Sequence, residues 1–237
     1  MRTLLAIESS TDLASVALYV ADPDGRRAGR LLSREVSGVQ SHSQTLLPMV
    51  QALLAEAGIT LAQCEAIAFG AGPGSFTGVR TACGVAQGLA YGSRLPVVAV
   101  DTLAATAQAC RDATGAADVV VVLDARMGEV YWGQYRWEST GDGAQWRALS
   151  PPQVSAPEAV IVSGSATVCG NGLALHGVLT ACMPHALAVA TLAQTMLAQG
   201  RAVAARDARP VYLRNDVALT TAQRDLARER KHVVLAP

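Results

Sequence analysis

Near the N-terminus, hydrophobic positions cluster or alternate with polar ones, a pattern typical of β-strands. Three such segments cover residues 3–8, 13–20 and 30–36. Turn-forming residues separate them, for example the Asp-Pro-Asp-Gly stretch at residues 22–25. The pattern therefore predicts three sequential strands joined as a meander.

A helical period replaces this pattern after residue 41. Apolar side chains recur at Leu46, Val50 and Leu53 on one face of a predicted helix, which Gly58 should end. The next segments are a strand at residues 66–69, a glycine-rich loop, a helix over residues 75–91 and a strand at residues 96–100. The predicted order of this half is βββαβαβ.

The second half of the chain predicts another set of strands and helices. Its clearest segment is residues 118–124, where four consecutive valines indicate a strand buried on both faces. Asp101 is a candidate N-cap for a helix at residues 102–111. The other predicted segments are a turn at 124–128, a strand from 129 to 137, loops at 139–143 and 150–157, a short strand at 159–162, a turn at 170–172, a helix at 186–199 ended by Gly200, and an extended stretch at 210–214.

These elements predict two lobes and a tail. The N-terminal lobe covers residues 1–103 and the C-terminal lobe residues 104–215. Over residues 216–237 apolar periodicity is lost and charge rises, so we expect a mobile or helical tail there.

Composition limits the classes of function. Hydrophobic residues make up 51% of the chain, yet there is no uninterrupted apolar run long enough to span a bilayer and no signal-like N-terminus, so we expect a cytoplasmic protein without a membrane partner. The five cysteines have irregular spacings that argue against a disulfide framework or a metal clip. Because the formal net charge is zero, binding to a nucleic acid would need a partner.

The glycine-rich stretch at residues 70–78 has two interpretations. Glycines followed by a helix capped by Ser75 are typical of an anion site at a helix N-terminus. The same glycines could serve only to make the turn and to pack the helix tightly. No P-loop lysine follows, since the single lysine of the chain is Lys231.

Catalytic groups are sparse in the sequence. The four histidines are His42, His176, His185 and His232, no two of which have the i, i+4 spacing of a metal pair. Ser75 has no assignable base, and we predict that it is a helix cap. Glu8, Asp12 and Asp101, together with Asp124, could hold a metal bound to nucleotide phosphate, but they are equally expected as turn and cap residues. We therefore predict no metal site and no bound cofactor.

The helix at residues 75–91 is unusual because it lacks a charged face. Between Val79 and Tyr91 its only charge is Arg80. Gly84 and Gly88 lie on one face, and each costs roughly 1 kcal/mol of helix stability relative to alanine. Two explanations are open: this helix is buried in the core of the chain, or it forms an interface together with the preceding helix.

Four segments together resemble a known family: residues 70–80, 84–90, 124–131 and 210–215, which read GAGPGSFTGVR, GVAQGLA, DARMGEVY and PVYLRN. In this order and over nearly the whole chain they resemble TsaB (also called YeaZ), a family of bacterial subunits needed to make threonylcarbamoyladenosine in tRNA. The resemblance implies an α/β fold of two lobes, the actin-like ATPase fold, in which each lobe is ribonuclease H-like with a mixed five-stranded sheet and helices.

The resemblance also implies a role without catalysis. Members of the family pair with TsaD, which transfers the threonylcarbamoyl group to the adenosine next to the anticodon of tRNAs that read codons starting with A. The ATPase TsaE joins the two, and tRNA is bound only within the complex. When TsaD is absent, members form homodimers through the same surface.

That surface is expected on the two N-lobe helices. The residues concerned would be His42, Leu46, Met49, Val50, Leu53, Arg80, Cys83, Gly84, Gln87, Gly88 and Tyr91. One departure is Glu8, where relatives commonly have aspartate; this weakens the case for a nucleotide site, for which Glu8, Asp12 and Asp101 would be vestigial candidates. In the tail, Arg224, Arg228, Arg230 and Lys231 form either a tRNA contact or a solvated charged face. The alternative function is a small-molecule kinase or a glycoprotease-like hydrolase of the same superfamily.

Overall fold

The computed structural model describes residues 2–22, 29–38, 42–140, 143–172 and 182–214, which form two five-stranded sheets and four α-helices. The tail predicted over residues 216–237, most of the turn at 22–25 and His176 lie outside the described residues.

The first sheet is built from the βββαβαβ segment, as predicted. Its strands are β1 (Leu4–Glu8), β2 (Leu13–Val20), β3 (Arg30–Ser37), β4 (Ala66–Gly72) and β5 (Val97–Asp101), in the order β3-β2-β1-β4-β5. The first three strands are antiparallel, and β4 and β5 are parallel to β1 and to each other. The helices of this segment are α1 (His42–Ala57) and α2 (Phe76–Ser93).

Both faces of the first sheet are covered by helices. Leu5 and Ile7 of β1 point towards α1 and α2, whereas Leu4 and Ala6 point the other way because side chains alternate along a strand. The opposite face is covered by α3 (Thr102–Thr114) and α4 (Ala186–Ala198). A helix from the second half of the chain thus packs on the first sheet, while the lobe boundary at residue 103 stays a prediction.

The second sheet has the order β10-β6-β7-β8, and β9 pairs with β7. Its strands are β6 (Asp118–Arg126), β7 (Glu129–Thr140), β8 (Gly143–Ala148), β9 (Gln153–Ser155) and β10 (Thr167–Cys169). The valine run of β6 is buried on both faces, as its sequence predicts. Met127 and Gly128 form the turn between β6 and β7 with positive φ angles.

Several boundaries in the second half differ from the sequence predictions. The loop predicted over residues 139–143 is largely strand, because β7 continues to Thr140 and β8 starts at Gly143. The strand predicted at residues 159–162 is wrong: Pro157–Ala159 is a 3₁₀ turn, and Val160 packs against the core without joining the sheet. The loop predicted at 150–157 contains β9, and α3 extends beyond residue 111 to Thr114.

Candidate functional site

The glycine-rich loop packs against the end of β1. A Cβ atom added to Gly70 would overlap the carboxyl group of Glu8, and one added to Gly78 would overlap the carbonyl oxygen of Ser9. The Ser9 hydroxyl donates a hydrogen bond to the Gly78 carbonyl oxygen over 2.9 Å. Glycine is therefore required at these positions for close approach by the protein's own chain, which supports the packing interpretation.

Ser75 caps α2, as predicted. Its Oγ accepts a hydrogen bond from the Gly78 N–H over 3.3 Å, and its own N–H donates to the Ser10 carbonyl oxygen over 2.6 Å. The loop and the N-terminus of α2 are thereby fixed to the β1 end of the sheet.

The three vestigial candidates have different surroundings. Glu8 is fully buried, its Oε1 accepts from the Ser10 N–H, and burial raises the pKa of its carboxyl group. Asp101 caps α3 through the Ala104 N–H and accepts from the Tyr135 hydroxyl over 3.3 Å; burial also raises its pKa. Asp12 is exposed and pairs with Arg126 over 3.3 Å.

A cleft of about 250 Å³ lies between the loop at the start of α2 and the β6–β7 hairpin. Its charged lining residues are Asp12, Asp124, Arg126 and Arg214. These charges are largely matched, because Arg126 pairs with both aspartates and Arg214 pairs with Glu129 just outside the cleft. Within the described ranges, no group of three or more His, Cys, Asp or Glu side chains is placed to hold a metal ion.

Residues 203–214, here named the C-terminal segment, run along one side of α2. The Ala208 carbonyl oxygen accepts from Gln87 Nε2 over 3.0 Å, and the Val211 N–H donates to the Ala71 carbonyl oxygen over 2.7 Å. Further along, Arg80 donates to the Tyr212 hydroxyl over 2.7 Å and lies 3.7 Å from the centre of the Phe76 ring. This side of α2 is therefore occupied by the chain itself.

Within the ranges that the structure describes, nothing covers the outer face of α2. Gly84, Gly88 and Tyr91 are exposed there, and Tyr91 retains 80% of its accessible surface. A Cβ added to Gly84 or Gly88 would meet no atom of the described residues within 4 Å. We call these three residues the open face of α2. Burial in the core of the chain, one of the two explanations for the glycines, is therefore wrong for these positions.

Comparison with known proteins identifies the family. A family model described as TsaD, tRNA N6-adenosine threonylcarbamoyltransferase, matches residues 35–234. A *Haemophilus influenzae* protein named tRNA threonylcarbamoyladenosine biosynthesis protein TsaB is 39% identical over 230 residues, which cover 91% of this chain and 94% of that protein. The chain belongs to the TsaB (YeaZ) family. The *Escherichia coli* TsaB is likewise 39% identical, over 228 residues that cover 91% of this chain and 96% of that protein.

Solved structures of TsaB-family proteins confirm the predicted fold. YeaZ from *Pseudomonas aeruginosa* superposes with a TM-score of 0.79 at 41% identity, covering 90% of this chain and all of that one. A second *P. aeruginosa* structure, described as similar to peptidase YeaZ, gives 0.78 at the same identity and coverage. The two-lobed α/β architecture is thus shared with experimentally determined relatives.

The predicted TsaB-family interface is only partly accessible in this structure. Leu46, Val50, Leu53 and Cys83 are at most 4% exposed and belong to the core beneath α1 and α2, so a partner cannot contact them directly. His42, Met49 and Gln87 are half-buried, and Arg80, Gly84, Gly88 and Tyr91 are exposed. The interface as a whole stays a prediction.

Sequence reasoning missed other exposed residues beside these. Leu47 and Pro48 of α1 are exposed, as are Phe76 and Tyr212 next to Arg80. Leu47 belongs to the same helical apolar pattern as Leu46, so the sequence does not distinguish the two. Only the structure shows that Leu46 is buried and Leu47 is exposed. In the part of the chain that the structure describes, no helix has the length and apolar character needed to cross a membrane.

Proposed function

We propose that this chain is a non-catalytic subunit of the cytoplasmic complex that adds threonylcarbamoyl to the adenosine next to the anticodon of tRNAs reading codons that start with A. In this proposal it pairs with TsaD and activates it, together with the ATPase TsaE, and binds tRNA only within that complex. The names of its relatives support a place in threonylcarbamoyladenosine biosynthesis.

The open face of α2 is the observation that carries this proposal. Two glycines on an exposed helix cost roughly 1 kcal/mol each, and no neighbouring group in the described part of the chain requires them. A stripe without side chains lets a second helix approach closely, and Tyr91 at its end supplies aromatic contact area. Leu47 on α1 is 43% exposed and would extend the same apolar surface. In the absence of TsaD, a second copy of the chain would use this surface to form a homodimer.

The acidic residues support a role without catalysis. Glu8 and Asp101 each accept a local backbone hydrogen bond, from the Ser10 N–H after β1 and from the Ala104 N–H at the start of α3. Asp12 is neutralised by Arg126 at the cleft mouth. The alternative is a kinase or hydrolase of the same superfamily. Calorimetry with ATP and magnesium tests the kinase, since tight binding by the isolated chain would favour it.

Reconstitution tests the proposed role directly. We expect no modified tRNA from the purified chain alone, and product when TsaD, TsaE and the enzyme that forms the threonylcarbamoyl adenylate are added. Omitting only this chain should remove most of the product. Modification by the chain alone, or full activity of the mixture without it, would overturn the proposal.

Substitution of the open face tests the surface. We expect Gly84→Leu or Gly88→Leu to weaken pairing with TsaD at least about tenfold, measured by calorimetry, because the added side chain holds the helices apart. The monomer should stay folded by circular dichroism, since each new side chain enters open space.

Two variants serve as controls for this experiment. Ala113→Leu places the same side chain at an exposed position of α3 and should leave pairing unchanged. Ala86→Leu inserts it on the buried side of α2 and should destabilise the monomer itself. Unchanged TsaD affinity of Gly84→Leu and Gly88→Leu would exclude this surface.

A further inference from the structure

Positive charge is concentrated in two stretches of the chain. Residues 66–100 contain two arginines and no acidic residue, and residues 201–214 contain four arginines and a single aspartate. One of the four, Arg214, pairs with Glu129 of β7. The first stretch thus carries two positive charges and the second an excess of three, although the formal net charge of the chain is zero.

The fold places these two stretches side by side. The C-terminal segment runs antiparallel to α2, since Tyr212 contacts Arg80 near the start of the helix and Val203 exchanges backbone hydrogen bonds with Val97 beyond its end. Between these points Ala208 is buried against α2. The arginines of both stretches therefore border one continuous surface along α2.

Five exposed arginines lie along this surface, and we call them the arginine strip: Arg80, Arg94, Arg201, Arg206 and Arg209. Among the described residues, only Arg206 of the five has an ion pair, with the neighbouring Asp207 over 3.7 Å. Arg80 is held by the Phe76 ring and the Tyr212 hydroxyl, neither of which neutralises its charge. The strip thus presents positive charge that the described part of the chain leaves largely unmatched.

Arg94 adopts a backbone conformation that is unfavourable for arginine. It ends α2 with a φ of 56°, in the left-handed region where helices commonly place glycine because a Cβ atom is disfavoured there. Attraction between its charge and the carboxyl end of the helix offsets part of this cost. Since local backbone preference favours glycine, the arginine points to a use of its charge outside the monomer.

We propose that the arginine strip binds the phosphate backbone of tRNA. This inference rests on the proposed function, in which the chain meets tRNA only within the complex. Guanidinium groups bind phosphate oxygens through paired, charge-assisted hydrogen bonds. The exposed rings of Phe76 and Tyr212 lie at the Arg80 end of the strip, where they can stack on an unpaired base.

The shape of the strip favours a nucleic acid over an acidic protein. Arg80 and Arg94 are 14 residues apart along α2, which corresponds to about 21 Å at the helical rise of about 1.5 Å per residue. A row of this length with one acidic residue matches the continuous charge of an RNA strand, whereas protein interfaces have few charged residues at their centres. Because the rest of the chain carries a balancing excess of negative charge, the isolated chain should bind tRNA only weakly.

Binding of tRNA to the assembled complex tests the strip. The full chain, as wild type or as Arg201→Gln/Arg209→Gln, is combined with TsaD and TsaE, and the anisotropy of labelled tRNA is measured at several salt concentrations. We expect the variant to bind tRNA at least about tenfold more weakly at about 0.1 M salt. The slope of log affinity against log salt should fall by about 1 for each arginine removed.

Arg136→Gln/Arg147→Gln is the matched control. It removes the same charge from exposed positions of the second sheet, where each arginine already has an acidic partner, and should leave tRNA affinity and the salt slope unchanged. An equal loss in both double variants would overturn the proposal, because overall charge would then explain the effect.

Two further outcomes separate the strip from the proposed function. Unchanged tRNA binding by Arg201→Gln/Arg209→Gln, in a complex that assembles normally, would exclude the strip and leave the proposed function standing. Weaker pairing with TsaD and unchanged tRNA binding would assign the strip to an acidic protein surface and would also overturn the proposal. The proposed function fails by a different result, full modification activity when the whole chain is omitted.

Discussion

Two groups of glycines around α2 have opposite surroundings. Gly70 and Gly78 face the end of β1 so closely that even a methyl group would overlap Glu8 or Ser9. Gly84 and Gly88, one to three turns further along α2, face open space. Close packing inside the monomer requires the first pair, whereas no neighbour among the described residues requires the second. Within α2, a glycine near the start of the helix thus serves internal packing, whereas the glycines further along lie on an exposed surface.

The largest expected effect on stability comes from adding a side chain where α2 packs against the end of β1. We expect Gly78→Ala to lower the free energy of unfolding by about 3 kcal/mol, because the Ser9 carbonyl oxygen and the N-terminus of α2 must move apart. Urea unfolding of this variant beside Gly84→Ala gives a matched comparison within one helix. Equal stability of the two variants would contradict the difference between the two groups of glycines.

Glu8, which faces Gly70, should make stability depend on pH. Because burial raises its folded pKa above the ordinary value of 4.5, its contribution is fully present below that value and is lost as pH rises towards the folded pKa. A single group can contribute a slope of at most about 1.4 kcal/mol per pH unit. We expect Glu8→Gln to remove this pH dependence, measured by urea unfolding at a series of pH values rising from about 4.5. Asp101→Asn is a comparison variant: burial also raises the pKa of Asp101, so this substitution should remove a separate contribution of the same sign. A wild-type pH profile for Glu8→Gln would contradict the assignment to Glu8.

On the open face, a small substitution should stabilise the monomer. We expect Gly84→Ala and Gly88→Ala each to raise the free energy of unfolding by about 0.5–1 kcal/mol, because alanine restricts the unfolded chain and its methyl group meets no atom of a described residue within 4 Å. Thermal unfolding measures this gain. If either variant loses stability, that glycine has an unrecognised role within the monomer.

Arg80 lies in α2 between the packed Gly78 and the exposed Gly84, and its substitution should have the smallest effect on stability. Its guanidinium group stacks on Phe76 and donates to Tyr212, so Arg80→Ala should lower the free energy of unfolding by about 0.5 kcal/mol. Tyr212→Phe removes the hydroxyl acceptor and keeps the ring, which separates the hydrogen bond from the stacking. If Arg80→Ala also weakens TsaD binding, the proposed surface extends to the C-terminal segment.

The sequence predicts the first sheet better than the second. Strong alternation, a sustained helical period and clear end signals such as Gly58 gave the correct βββαβαβ order. Strands β8, β9 and β10 are short and peripheral in the second sheet, and their hydrogen bonds depend on where β6 and β7 lie. Local composition around Val160 favours a strand, but its partly buried side chain packs against the core of the second sheet while its backbone stays outside the sheet.

The candidate site, too, could be predicted only in part from the sequence. Helical spacing identified Leu46, Val50 and Leu53 as one apolar face. Spacing alone does not distinguish a face that packs on the sheet of the same chain from a face that binds a partner protein. The C-terminal segment also covers one side of α2, and its contacts with Ala71 and Gln87 span more than a hundred residues.

By itself the sequence determined the family, the order of elements in the first sheet and the caps at Ser75 and Asp101, because these depend on local pattern and on residues close together in the chain. Only the tertiary structure decided which glycines are enclosed and which face of α2 is open. Those properties depend on neighbours distant in sequence, whose positions are fixed by how both sheets and their helices pack.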